Sequence, residues 1–141
     1  MIYLGLDLGE VTLGMAKSDS GIVAEALKTF RFPRNHYIKA LDYLEIYLQE
    51  HKIDVVVLGL PKHMHDEIGE KAKTVMRFKS RLEKRTSAKI VLWDERLTTI
   101  QATKTLKAAN LSSQKIKTSK DSLAAVLILQ NYLDYKGESN D

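Results

Sequence analysis

Apolar and polar positions along the chain fall into blocks of two alternating periods. The opening segment, Ile2–Leu8, is almost wholly apolar and glycine-flanked, the pattern of a strand covered on both faces. Gly9-Glu-Val-Thr-Leu-Gly14 predicts a tight turn into a second strand through Met15 and Ala16. Asp19-Ser-Gly21 then predicts a hairpin turn into a third strand over Glu25–Phe32. Beyond Pro33 the period lengthens, and Tyr37, Leu41, Leu44 and Leu48 recur at helical steps. Ile53–Leu60 is a buried strand closed by Gly59 and Pro61. Ile68–Arg85 returns to helix, with Ala72, Val75, Met76 and Leu82 on its inner stripe, and Lys89–Trp93 is a strand that stops at Asp94-Glu95-Arg96. Helices follow over Thr98–Ala109 and from Lys120 to about Tyr135, separated by the polar, lysine-bearing stretch Asn110–Ser119.

The order is β-β-β-α-β-α-β and then helix: an antiparallel three-strand meander followed by βαβ crossovers. It predicts an α/β fold, a five-stranded mixed sheet with helices on both faces. With 141 residues, 44% of them hydrophobic, one domain over residues 1–136 is expected, with 137–141 as a frayed tail. There is no cysteine, so disulfides and thiolate metal sites are excluded and a reducing compartment is expected. The start, Met-Ile-Tyr-Leu-Gly-Leu-Asp, has no basic leader and meets an acid early, and no apolar run approaches the ~20 residues of a membrane span. A cytoplasmic protein without membrane attachment is the expectation. The net charge of +4 and pI near 9.2 lean toward a polyanionic partner, a weak signal until the charges are located.

Three acids stand where the hydrophobic pattern makes them anomalous. Asp7 sits inside an apolar strand, where a carboxylate is expensive to desolvate unless a positive group meets it. The alternative is that the strand has ended and Asp7 caps a turn with Gly9. Asp94 and Glu95 end another apolar strand; alternation puts Val91, Trp93 and Glu95 on one face and Ile90, Leu92 and Asp94 on the other, so only one acid faces a given site. As an isolated pair they are better read as opening the next helix, where acids meet the dipole favourably. Asp121 lies in the first turn of the last helix, where acids are common, yet its helical neighbours Ala124, Ala125, Ile128, Leu129 and Tyr132 form the inward stripe. Acids gathered at strand and helix ends suit Mg²⁺ or Mn²⁺, which take oxygen ligands. A pair of such ions ~3.5–4 Å apart would activate water and steady the leaving oxygen of a phosphodiester.

Lys115, Lys117 and Lys120 crowd the segment leading into Asp121 and are candidates for phosphate contact. Lys62, His63 and His65 follow Pro61 and could donate hydrogen bonds to phosphate, although two histidines without a third make a poor metal site. Arg77, Arg81, Lys84 and Arg85 read as the solvated face of an amphipathic helix. The scattered aromatics offer no base-stacking platform, and neither a phosphate-binding glycine loop nor a nucleophile–histidine arrangement is present.

Four motifs in order, Gly5-Leu-Asp7-Leu-Gly9 with Gly14-Met-Ala16, Val57-Leu-Gly59-Leu-Pro61, Asp94-Glu95-Arg96-Leu-Thr98-Thr99 and Lys120-Asp121-Ser-Leu-Ala124-Ala125, resemble the YqgF/RuvX family with its ribonuclease H-like fold. The resemblance spans almost the whole chain. It implies a nuclease, described both as a processor of the pre-16S rRNA 5′ end and as a Holliday junction resolvase. It maps Asp7, Glu95 and Asp121 onto the family's three acids, prefers Glu95 to Asp94, and adds Arg96 and Thr98 as residues that position phosphate or hold their motif. Two places depart from the family pattern: Thr12 stands where a basic residue is usual, and Lys62-His63-Met64-His65-Asp66-Glu67 stands where the family tends toward a shorter polar residue after the proline and a later glycine.

The leading expectation is metal-dependent hydrolysis of structured RNA in ribosome biogenesis, with two Mg²⁺ or Mn²⁺ ions held by Asp7, Glu95 and Asp121. The first rival is resolution of branched DNA, which would need a symmetric homodimer rather than a monomer. The second is a non-catalytic nucleic-acid-binding module of ribosome assembly. An actin-like or sugar-kinase-like ATPase would share the Asp-x-Gly strand turn but needs a second lobe, for which 141 residues leave no room.

Overall fold

The computed structural model describes residues 1–61, 69–95 and 120–139, and in the last segment the side chains of residues 122–137. Strand β1 (Tyr3–Leu8) pairs antiparallel with β2 (Thr12–Ser18) on one side and parallel with β5 (Val55–Leu60) on the other, and β5 pairs parallel with β6 (Lys89–Asp94). Two short strands, β3 (Glu25–Ala26) and β4 (Phe30–Arg31), both lie antiparallel on β2, giving the order β3-β2-β1-β5-β6 with β4 beside β3 on the same edge. The fold is mixed α/β, as the pattern predicted.

The predicted third strand over Glu25–Phe32 is thus two pieces. The ladder lapses where the Ser122 hydroxyl donates to the Leu27 carbonyl at 2.6 Å, so a helix takes an acceptor that would otherwise face a strand.

Period-two alternation divides β1 between two cores. Leu4, Leu6 and Leu8 face helices α1 (Tyr37–Glu50) and α2 (Glu70–Glu83), while Tyr3, Gly5 and Asp7 face α3 (Lys120–Ser139). On β5, Val56 and Leu58 go to the first core and Val55 and Val57 to the second. Helix α1 buries Ala40, Leu41, Leu44 and Leu48, leaving Tyr37 half-buried at its start. Helix α2 buries Ala72, Val75, Phe78 and Leu82. Met76, expected inside, is 41% exposed: Phe78 takes the inward position, and the residue two steps before it must then point outward. Helix α3 runs one turn past Tyr135, to Ser139.

Two glycines set how closely α3 approaches. A Cβ on Gly5 would stand 2.6 Å from the Leu129 Cβ and 2.9 Å from the Ala125 carbonyl oxygen, and one on Gly59 would overlap the Ile128 Cδ1. The helix therefore rests on bare backbone of the two central strands. No helix among the described residues is long and apolar enough to cross a membrane.

Candidate active site at the carboxyl end of the sheet

Asp7 remains in the strand. It is paired in the ladder opposite Gly14, with Leu8 opposite Leu13 beyond it, so the turn-capping alternative is excluded. Its side chain is half-buried on the α3 face. One step past the Leu6–Leu58 pair, its neighbour on β5 is Gly59, which itself lies opposite Trp93 on β6. Gly59 has no side chain to fill the space, and the Glu95 carboxylate reaches into it: a Cβ on Gly59 would lie 2.8 Å from Glu95 Oε1. There the side chains of Glu95 and Asp7 hydrogen-bond.

A hydrogen bond between two carboxyl groups requires one of them to keep a proton. Burial first, then the charge and hydrogen bond of Asp7, push Glu95 up from 4.5 to about 7; Asp94 adds to the rise, and the Lys71 ammonium opposes it. Two crowded carboxylates supply only oxygen donors and more negative charge than the pocket neutralises. That donor set fits a hard divalent cation. Among the described residues no cluster of three ligating side chains forms.

Helix α3 places its start near this pair. Lys136 Nζ donates to the Tyr3 hydroxyl at 2.7 Å, and Leu129 and Ala125 cover Gly5, so α3 runs antiparallel to β1. Its first turn, which carries Asp121, therefore lies toward the Asp7 end; the side chains of Lys120 and Asp121 are outside the described set. Lys62, His63, His65, Arg96, Thr98, Lys115 and Lys117, with the helix expected over Thr98–Ala109, also lie outside the described residues. Of the basic face expected on α2, Arg77, Arg81 and Lys84 are exposed, whereas Arg85 instead donates to Asp42 of α1 at 2.6 Å.

The structure adds residues that sequence reasoning passed over, each a buried polar side chain on α3. Ser122 holds the Leu27 carbonyl and accepts from the Thr29 hydroxyl at 2.9 Å. Gln130 accepts from the Ala24 amide at 2.9 Å and donates to the Ile22 carbonyl at 2.8 Å. Asn131 accepts from the Trp93 indole N–H at 3.0 Å, fixing β6 two residues before Glu95. Their signal was available: buried polar groups are nearly always bonded, so polar residues within a sheet-facing helix mark tie points.

Strand order, crossovers and the paired acids at the ends of β1 and β6, on either side of β5, define a ribonuclease H-like protein. The fold superimposes on that of RuvC from Thermus thermophilus, solved in complex with a Holliday junction substrate, with a TM-score of 0.70 over 99% of this chain and 96% of that one at 11% identity. Residues 1–135 match the family model described as RuvX, Holliday junction resolvase, and the chain belongs to that family. It is 49% identical over 133 residues to a protein of Onion yellows phytoplasma (strain OY-M), spanning 94% of this chain and 88% of the relative. It is 43% identical over 135 residues to one of Bacillus subtilis (strain 168), spanning 95% and 98%. Both relatives are named provisionally as pre-16S rRNA nucleases.

Proposed function

We propose that this protein is a metal-dependent endonuclease that hydrolyses phosphodiester bonds in structured RNA, with the 5′ end of pre-16S rRNA as its target. The observation that carries the reading is the meeting of Asp7 and Glu95 over Gly59, one acid on β1 and the other just past the end of β6, brought into hydrogen-bond contact. Asp7, Glu95 and Asp121 would hold Mg²⁺ or Mn²⁺, the first two from the strands and the third from the first turn of α3. A bound divalent ion supplies charge against the phosphate oxygens and makes water a stronger nucleophile. The chain's own residues orient the substrate: β1 and β6 fix two carboxylates, Gly59 leaves room for both, and Asn131 steadies the strand that delivers Glu95. Water adds its oxygen to phosphorus, the phosphodiester P–O bond breaks, and the leaving oxygen takes up a proton.

The names borne by the relatives favour RNA, whereas the description of the family favours branched DNA. One panel separates them: pre-rRNA leader, four-way DNA junction and single strands, each in Mg²⁺ and in Mn²⁺, with wild type and Asp7→Asn. Cutting of the leader by wild type alone is expected, with the variant's circular dichroism and melting preserved. Full activity in Asp7→Asn would sink the mechanism, and exclusive cutting of the junction would change the substrate.

A further inference from the structure

A cavity of about 320 Å³ opens at the end of β1 on the sheet face opposite α3. Its floor is Leu8 and Gly9, one wall is Asn35 and Tyr37 at the start of α1, and the other is the first two turns of α2, from Glu70 to Val75. Leu8 directly follows Asp7, so acid pair and cavity sit on opposite sides of one strand end. Lys71 belongs to both: it lines the cavity, and its charge acts on Glu95. We propose that this cavity is a nucleoside subsite that receives one unpaired nucleotide of the substrate strand, next to the phosphate held at Asp7 and Glu95. The proposal deepens the nuclease reading and rests on it.

Size comes first. The volume lies at the small end of the ~300–1,000 Å³ range of ligand sites, room for a base and its sugar but not for a stacked pair. Chemistry then disfavours a phosphate in the interior, where Glu10 and Glu70 stand against Lys71, the one cation among the described lining residues. Their charges are partly offset, Glu10 by Arg34 and Glu70 by Lys73 at 3.7 Å, yet carboxylates accept hydrogen bonds and repel phosphate. A nucleoside supplies matching donors in its ribose hydroxyls and exocyclic amines. Tyr37 adds an aromatic wall, its hydroxyl donating to Asn35 Oδ1 at 3.2 Å, and Asn35 is anchored by its backbone N–H, which donates to the Glu10 carbonyl at 2.9 Å.

The rim carries the opposite charge. Arg77 donates to the Thr74 hydroxyl on the cavity wall at 3.4 Å, and Arg81 and Lys84 continue along the exposed side of α2 at helical spacing. A strand threading from the acid pair over Lys71 would find an acceptor-rich hole for a nucleoside and then cations for the phosphates that follow. A base can enter such a hole only if it is unstacked and unpaired, which is how single-stranded RNA is read and duplex is not.

The test is binding in the presence of a chelator, so that it stands whether or not the acids cut. A short fluorescein-labelled single-stranded oligoribonucleotide containing 4-thiouridine is titrated by anisotropy, then irradiated, and the crosslinks are mapped. The expected crosslink falls in the tryptic peptide Asn35–Lys39, and the same sequence annealed to its complement gives none there. Thr74→Trp, which fills the cavity, should weaken single-strand binding roughly tenfold without lowering the melting temperature, the size of one lost base stack. If that variant does not fold, Tyr37→Leu, which keeps an apolar group on Phe32 but removes the ring, is read the same way. Unchanged affinity in a folded variant, or equal crosslinking by duplex, would overturn the proposal. Failure of the nuclease reading would appear separately, as no metal-dependent cutting by wild type.

Discussion

At the residue scale, Asp7 and Glu95 define the problem the rest of the molecule solves. Each carboxylate is out of place in its apolar surroundings, and Gly59, standing between their strands, lets the two touch. Because burial and Asp7 raise Glu95 from 4.5 to about 7, the folded protein holds a proton that the unfolded chain has released. Stability tied to this group is then complete below pH 4.5 and declines as pH rises from 4.5 toward 7. Metal-free protein should therefore melt at falling temperature across that window, and Glu95→Gln should flatten the profile relative to wild type. An unchanged slope in the variant would refute the assignment. Gly59→Ala makes a second prediction. The atoms a methyl group would meet are the ends of flexible side chains, Glu95 Oε1 and Ile128 Cδ1, so they can move aside. Stability should drop by less than ~1.5 kcal/mol, but cleavage should fall ten- to a hundredfold, since ~1 Å of misplacement has that effect. Parallel melting and initial-rate measurements would check this.

At the element scale, α3 converts sequence order into a site. It lies over β1 and β5 so closely that Gly5 has the Leu129 Cβ and the Ala125 carbonyl against it, atoms that move only if the whole helix moves. Gly5→Ala should accordingly cost about 1–3 kcal/mol of stability, more than Gly59→Ala. Urea denaturation of the two variants side by side would show the order; the reverse ranking would mean α3 is not held by β1. The same helix ties itself to the edge of the sheet through Ser122 and Gln130 and to β6 through Asn131. Much of this architecture was legible beforehand. Inward stripes and strand alternation follow directly from side-chain geometry, and placed α1, β5 and β6 within a few residues. Met76 and the interrupted third strand were misread because both depend on partners remote in sequence: Phe78 competing for one inward position, and Ser122 capturing the Leu27 carbonyl.

At the scale of the whole molecule, the charge excess of +4 becomes informative only once its position is known. Lys79 is matched by Glu83 and Arg85 by Asp42, whereas Arg77, Arg81 and Lys84 stand exposed along one side of α2, leading away from the acid pair. Nucleic-acid affinity should fall with salt, and replacing Arg77 and Arg81 by alanine should reduce the slope of log affinity against log salt by roughly one unit per cation. Binding isotherms between low and moderate salt measure this, and an unaltered slope would remove α2 from the interface.

The sequence by itself determined the α/β class, most element positions and the three anomalous acids. Those follow from local periodicity and from the expense of placing charge in an apolar strand, which need no knowledge of remote contacts. The preference for Glu95 over Asp94 came from resemblance; contact with Asp7 was decided by tertiary structure, through a bare glycine between two parallel strands. The cavity beside Tyr37 and the ties of Ser122, Gln130 and Asn131 were likewise decided there. Each joins segments far apart in the chain, and a distance between such segments is set by packing, not by any pattern within either one.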